Sequence, residues 1–196
     1  MKILVTGGTG YIGSHTCVEL LQKGYEVVVF DNLFNSKIEV VDKIESITGK
    51  KIKFYKADML DKESMRPVFE ENKLDAVIHF AGLKAVGESV AKPLWYYQNN
   101  ITGTLNLCEL MNEYGCKRII FSSSATVYGS PETVPIKEDF PLSTTNPYGS
   151  TKLMLERILS DFCVPDKDWS VVLLRYFNPI GAHESGQRER TLKGIA

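Results

Sequence analysis

Three glycines spaced Gly7-x-x-Gly10-x-x-Gly13 follow directly on the short apolar run Lys2-Ile-Leu-Val5, and a helical pattern begins with the last of them. No other feature restricts the chain as much. A strand that runs into a glycine turn and then a helix is the setting in which such a triplet predicts a dinucleotide site. The first gap is one residue wider than in the commoner form, but the physical demands are the same. One glycine permits the tight turn, one lets backbone approach a pyrophosphate, and one lets helix and strand pack closely. The pyrophosphate is expected on the N–H groups at the positive end of the helix. The bland alternative is a strand–turn–helix with no ligand.

The rest of the chain repeats that order. Segments 2–5, 26–30, 53–56, 76–80, 118–122 and 170–176 read as strands. Several are unbroken apolar runs, the mark of a parallel sheet covered on both faces. Helical patterns lie between them at 12–23, 37–47, 62–71, 94–114 and 148–161. Asp61 is placed to cap the third, and Gly24 and Gly115 to close the first and fourth. The alternation predicts an α/β, Rossmann-type doubly wound parallel sheet of strand order 3-2-1-4-5-6, with its ligand at the carboxyl edge of the strands.

Composition narrows the partners. The chain has 196 residues, 43% of them hydrophobic, and a net charge of -1. That suits a globular domain with a core and argues against nucleic-acid or membrane-surface binding, for which no basic excess exists. Its longest apolar runs, such as 27–30 and 171–174, are far short of a membrane span. The run after Met1 is too short for a signal-peptide core, so a cytoplasmic location is expected. Cys17 and Cys108 fall on apolar helix faces and read as buried reduced thiols. His15, His79 and His183 are too dispersed for a metal site, and no metal is expected.

Most of the expected strands end in suggestive residues. Asp31 ends the second; a carboxylate there accepts from adenine-ribose hydroxyls and repels a 2′-phosphate, which predicts NAD over NADP. Asp58 follows the third, within reach of an adenine amine. Phe80-Ala81-Gly82 follow the fourth, small enough for a loop to run under a cofactor. The connection from Ser123 to Pro147 is long for a loop inside one domain, which is a functional signal. Directly after it, Tyr148 and Lys152 stand four apart at a helix start and project from one face. A free tyrosine has a pKa of about 10, so work as a base near neutrality needs positive charge beside it. Lys152 supplies one ammonium and an oxidised nicotinamide would supply another. A serine hydroxyl across the site, Ser124 being the best candidate, can bond the same substrate oxygen.

These residues together resemble the extended short-chain dehydrogenase/reductase family, and within it the branch that epimerises UDP-hexoses. The resemblance runs from residue 1 to about Gly186 on long motifs: 7–15, Asp31-Asn-Leu33 with Asn35-Ser36, 79–89, 121–129, 147–152 and 174–179. It implies that Tyr148 is the acid/base on the sugar 4-hydroxyl, Lys152 its electrostatic partner and Ser124 the second hydroxyl contact. It implies that Gly7, Gly10, Tyr11, Ile12, Gly13, Asp31, Asn32, Asn35, Ser36, Asp58, Phe80, Ala81, Gly82, Lys84, Asn99, Ser122, Tyr148, Lys152 and Phe177 line NAD. Lys84, Ser124, Tyr148 and Asn178 would face the UDP-sugar. The implied reaction interconverts UDP-glucose and UDP-galactose by transient oxidation at C4, with no net redox. The family also implies a homodimer through the helices at 94–114 and 148–161.

Members of the family run beyond 300 residues, and their later part supplies much of the uridine and sugar pocket. The organisation expected here is therefore an NAD-binding domain with catalytic residues over 1–186, an atypical tail over 187–196, and a C-terminal substrate domain largely absent. The tail departs from the family's acidic pattern after Gly186, the change that a local reading-frame slip would produce; resequencing across those codons decides it. Two other readings stand beside the epimerase. A non-catalytic NAD-binding fragment would bind cofactor without turnover. A nucleotide-sugar 4,6-dehydratase would need an additional acid/base after the serine, where Ala125 and Thr126 stand.

Overall fold

Apolar residues that alternate along each strand divide between two layers of helices, and that division builds the molecule. The computed structural model describes residues 1–186; the tail expected over 187–196 lies outside the described residues. The strands are β1 (Lys2–Thr6), β2 (Glu26–Asp31), β3 (Lys53–Lys56), β4 (Ala76–His79), β5 (Arg118–Ser124) and β6 (Ser170–Tyr176). They form one parallel sheet of order β3-β2-β1-β4-β5-β6, as the alternating pattern predicts.

On one face, Leu4, Val28, Phe30, Val77, Ile119 and Phe121 pack against α3 (Lys62–Glu70), α6 (Gly103–Glu113) and α7 (Pro147–Phe162). On the other, Ile3, Val5, Val27, Val29 and Ile78 pack against α1 (Tyr11–Gln22) and α2 (Glu39–Thr48). Burying a side chain of this size contributes roughly 2 kcal/mol. The alternation continues at the sheet edge. Val171 and Leu173 of β6 turn inward, while Val172 and Leu174 remain 46% and 40% exposed. Cys17 and Cys108 are buried as expected, and burial pushes the Cys108 thiol up to about 12.

Asp61 caps α3, its side chain accepting from Ser64 N, and Gly24 and Gly115 follow α1 and α6. The expected helix at 94–114 is α5 (Pro93–Tyr97), a π-helical segment (Gln98–Thr102) and α6 in succession. The π turn interrupts the 3.6-residue pattern that made the stretch read as one helix. A further short helix, α4 (Val86–Ala91), stands where the sequence reading placed none. It is too short to show a period, and α7 packs against it. β5 runs two residues further than expected, so Ser123 and Ser124 belong to the strand. Among the described residues, no helix is long and apolar enough to cross a membrane.

Candidate active site

Parallel strands present all their carboxyl ends on one edge, and the residues singled out in the sequence gather there. Gly7, Gly10, Tyr11, Ile12 and Gly13 span the β1–α1 turn. Asp31 closes β2, with Asn32, Asn35 and Ser36 in the loop beyond. Asp58 follows β3, and Phe80, Ala81, Gly82 and Lys84 follow β4. Ser122 and Ser124 lie in the last three residues of β5, and Phe177 and Asn178 just past β6. Asn99 sits in the π segment, and Tyr148 and Lys152 begin α7.

The glycine turn is as tight as its spacing implied. Gly7 adopts φ +67°, and a Cβ there would lie 2.8 Å from Ala81 N. A Cβ on Gly13 would lie 2.3 Å from Gly7 O and 2.9 Å from Gly8 Cα, both backbone atoms. Helix α1 starts at Gly10 with no side-chain cap. Its first amides have no acceptor within the helix, so an anion can take that place. Gly13→Ala is expected to destabilise the chain by about 2 kcal/mol, because the backbone must part to admit a methyl group. Urea unfolding of the variant checks this.

Asp31 does more than the strand-end reading allowed. Its carboxylate accepts from Leu33 N at 2.9 Å, from Ser36 Oγ at 3.0 Å and from Thr9 N at 3.3 Å. Ser36 Oγ also meets Thr9 Oγ1 at 2.7 Å. The loop after β2 is thereby folded onto the glycine turn, with Leu33 held at φ 62°. That conformation costs a residue bearing a Cβ about 1 kcal/mol. Asn32 Nδ2 donates to Asp58 Oδ2 at 3.0 Å, which links the β2 and β3 ends.

The helix that carries the reacting pair is fixed at its start. Asn146 caps α7, accepting from Gly149 N at 2.8 Å, and Pro147 occupies the first turn. Tyr148 N donates to the buried Ser89 Oγ of α4 at 3.1 Å. Lys152 Nζ donates to Ser122 O at 2.6 Å and stands 4.7 Å from the Phe121 ring centre and 5.9 Å from that of Tyr148. Burial, and secondarily the Lys84 ammonium, push Lys152 down to about 8. Burial raises the Tyr148 phenol above its ordinary range, against the lowering pull of its hydrogen bond with Ser124. The sequence argument expected Lys152 to lower Tyr148. Desolvation is the larger effect here, because Tyr148 sits largely out of water.

Beneath the β4 end runs a buried relay that the sequence did not announce. Ala81 N donates to Thr6 Oγ1 at 3.2 Å, and Thr6 Oγ1 meets His79 Nδ1 at 2.7 Å. His79 Nε2 meets Thr104 Oγ1 at 2.9 Å, and Thr104 donates onward to Asn100 O at 2.6 Å. That direction assigns the proton of a neutral imidazole to Nε2. Burial, then Lys152, hold His79 down to about 3, so it stays neutral. Asn100, in the π segment, accepts from Leu83 N at 2.8 Å and donates to Leu83 O at 2.9 Å and Thr151 Oγ1 at 3.1 Å. It ties the loop under the site to α7. In the sequence Asn100 stands out only as the start of a glycosylation sequon, Asn100-Ile-Thr102, which says nothing of this role. Tyr96 is fully buried, accepts from Ala85 N at 3.0 Å and donates to Glu88 Oε2 at 3.0 Å.

The model of the NAD dependent epimerase/dehydratase family matches residues 3–195. The chain is 66% identical over 195 residues to UDP-glucose 4-epimerase of Bacillus subtilis (strain 168), an overlap covering 100% of this chain and 58% of that protein. It is 58% identical over 185 residues to UDP-glucose 4-epimerase of Dictyostelium discoideum, covering 94% of this chain and 54% of that one. Among solved structures, UDP-glucose 4-epimerase from Bifidobacterium longum in complex with NAD+ and UDP matches with a TM-score of 0.97 at 55% identity. That match covers 100% of this chain and 59% of that one. The chain thus spans less than two thirds of the length of these relatives.

Proposed function

The chain belongs to the NAD dependent epimerase/dehydratase family, and from that premise we propose that it interconverts UDP-glucose and UDP-galactose by NAD-dependent transient oxidation at C4. The observation that carries the reading is the convergence of Tyr148 and the buried Lys152 on one face of α7 with Ser124 at the end of β5, at the carboxyl edge of a dinucleotide-type sheet. The similarity to UDP-glucose 4-epimerases over the whole chain favours this chemistry over its rivals.

The residues present fit NAD. The uncapped start of α1 suits a pyrophosphate, and Asp31 suits the ribose hydroxyls. Tyr11, Ile12, Asn32, Asn35, Ser36, Asp58, Phe80, Ala81, Gly82, Lys84, Asn99, Ser122 and Phe177 complete the proposed lining. When bound, NAD supplies the reversible oxidation of the sugar carbon. The chain's own side chains handle the proton. Tyr148 takes it from the 4-hydroxyl and returns it to the ketone oxygen, while Ser124 hydrogen-bonds that same oxygen. The Lys152 ammonium favours the tyrosinate once a substrate and cofactor close the site. Lys84 and Asn178 are assigned to the UDP-sugar.

The reading is tested on the purified 196-residue chain, supplied with NAD and UDP-galactose, by following UDP-glucose in a coupled assay. UDP-glucose should form with no net change in NAD. Retained NAD without UDP-glucose would withdraw the turnover and leave a cofactor-binding chain. The domain assignment over 1–186 rests on the same proposal. It extends to a homodimer through the helices at 94–114 and 148–161, where Leu94 and Met154 are 69% and 45% exposed. A monomer mass in light scattering would remove that part. A cytoplasmic location belongs to the same proposal; cell fractionation checks it.

A further inference from the structure

One turn beyond Lys152 on α7, on the same face as Tyr148 and Lys152, Glu156 turns a carboxylate toward the sheet. Its side chain is 5% exposed and that of its partner, Arg175 of β6, 20%. Arg175 Nε donates to Glu156 Oε1 at 3.0 Å and its second terminal nitrogen to Oε2 at 2.8 Å, a two-pronged contact. Ser123 Oγ of β5 donates to the same Oε1 at 2.5 Å. The other terminal nitrogen of Arg175 donates to Tyr128 Oη at 2.9 Å, and the guanidinium lies 4.9 Å from the Tyr128 ring centre.

Ser123 and Arg175 are register partners across β5 and β6. One buried carboxylate on α7 therefore grips both strands at adjacent points. Ser123 immediately precedes Ser124, and Arg175 lies just before Phe177 and Asn178. A buried ion pair is weak evidence for stability, since apolar side chains of similar volume are often as stable. Its geometry here points instead to placement.

We propose that the Glu156–Arg175 pair positions the reaction centre, by fixing the carboxyl ends of β5 and β6 against the face of α7 that carries Tyr148 and Lys152. Neither residue is catalytic; both act through Ser123, Tyr128 and the strand ends. The inference rests on the reading that Tyr148, Lys152 and Ser124 are the reacting groups. Its test does not require turnover.

The test compares the parent chain with Ser123→Ala, which keeps the ion pair, and with the double variant E156L/R175M, which removes both charges and leaves neither buried alone. Lys152 is titrated by NMR in chains grown on 13Cε-labelled lysine, its signal identified by its absence from K152M. Folding is checked by thermal melting. Burial should place the parent midpoint well below the ordinary lysine value, near 8. His79, Tyr148 and Lys84, the titratable groups beside Lys152, are present in every variant. Loosening the strand ends admits water to Lys152, so the midpoint should rise by roughly one unit in the double variant and by a smaller amount in Ser123→Ala. Where the parent turns over UDP-galactose, the double variant should lose about a hundredfold in kcat with KM within about twofold. Folded variants with the parent's midpoint overturn the proposal. If the double variant does not fold, Ser123→Ala decides alone, and an unmoved midpoint there overturns it equally. Absence of turnover in the parent counts against the epimerase reading and leaves the titration to judge this one.

Discussion

Tyr148→Phe is expected to lower the rate of UDP-glucose formation by about a thousandfold while leaving NAD binding and the melting temperature close to those of the parent. The rate falls because the phenol is the one group placed to move the proton of the sugar hydroxyl, and positioned acid–base groups contribute roughly a hundred- to ten-thousandfold. Ser124 cannot replace it, since an alkyl hydroxyl is a far weaker acid than a phenol. Stability should hold because Tyr148 is fixed through its backbone, by Ser89 Oγ and the Asn146 cap of α7, and both survive the substitution. Cofactor binding should hold because the glycine turn and Asp31 do not depend on the phenol. Parallel assays of turnover, co-purified NAD and melting separate the three. A variant that turns over within tenfold of the parent would remove Tyr148 from the reaction.

The groups legible in the sequence share a property: each is fixed by residues near it in the chain. The Gly7–Gly13 turn, Asp61 at its cap and the alternation that sets the strand order are local patterns with one geometric solution. Tyr148 and Lys152 were legible because helix periodicity alone puts them on one face. What escaped was fixed from a distance. Asn100 is defined by bonds to Leu83 and Thr151, and Glu156 by Ser123 and Arg175. In the sequence, Glu156 is one more charge on an amphipathic helix and Arg175 a charge near a strand end. Helix α4 is likewise held by tertiary contact, through Tyr96 and α7. The upward shift of Tyr148 in this structure also has a cause that sequence does not carry. Sequence shows which charge is nearby but not how much water is excluded, and here exclusion is the larger effect.

That exclusion has its largest consequence at Lys152. Lys152→Met is expected to abolish turnover and to raise stability at pH 7 by roughly 3 kcal/mol, or about 8 °C in melting temperature for a chain of this size. The lysine is 6% exposed and falls from 10.5 to about 8, chiefly through burial. Each unit of such a fall corresponds to about 1.4 kcal/mol held against the charged form. Methionine gives up the bond to Ser122 O and the ammonium's contact with the Phe121 ring, which offsets part of that gain. The sign with pH follows from the depression. Below about 8 the lysine is protonated both folded and unfolded, and the whole penalty is present. Between about 8 and 10.5 the folded chain gives up the proton first, so the parent gains stability as pH rises. The advantage of the methionine variant should therefore be full at pH 7 and nearly gone at the upper end of that window. Urea unfolding of both chains at the two ends of the window measures it. A methionine variant no more stable at neutral pH would mean that the ammonium is better solvated than its burial implies. A confirmed gain would mean that the fold tolerates a destabilising charge at the one position where the proposed reaction needs it.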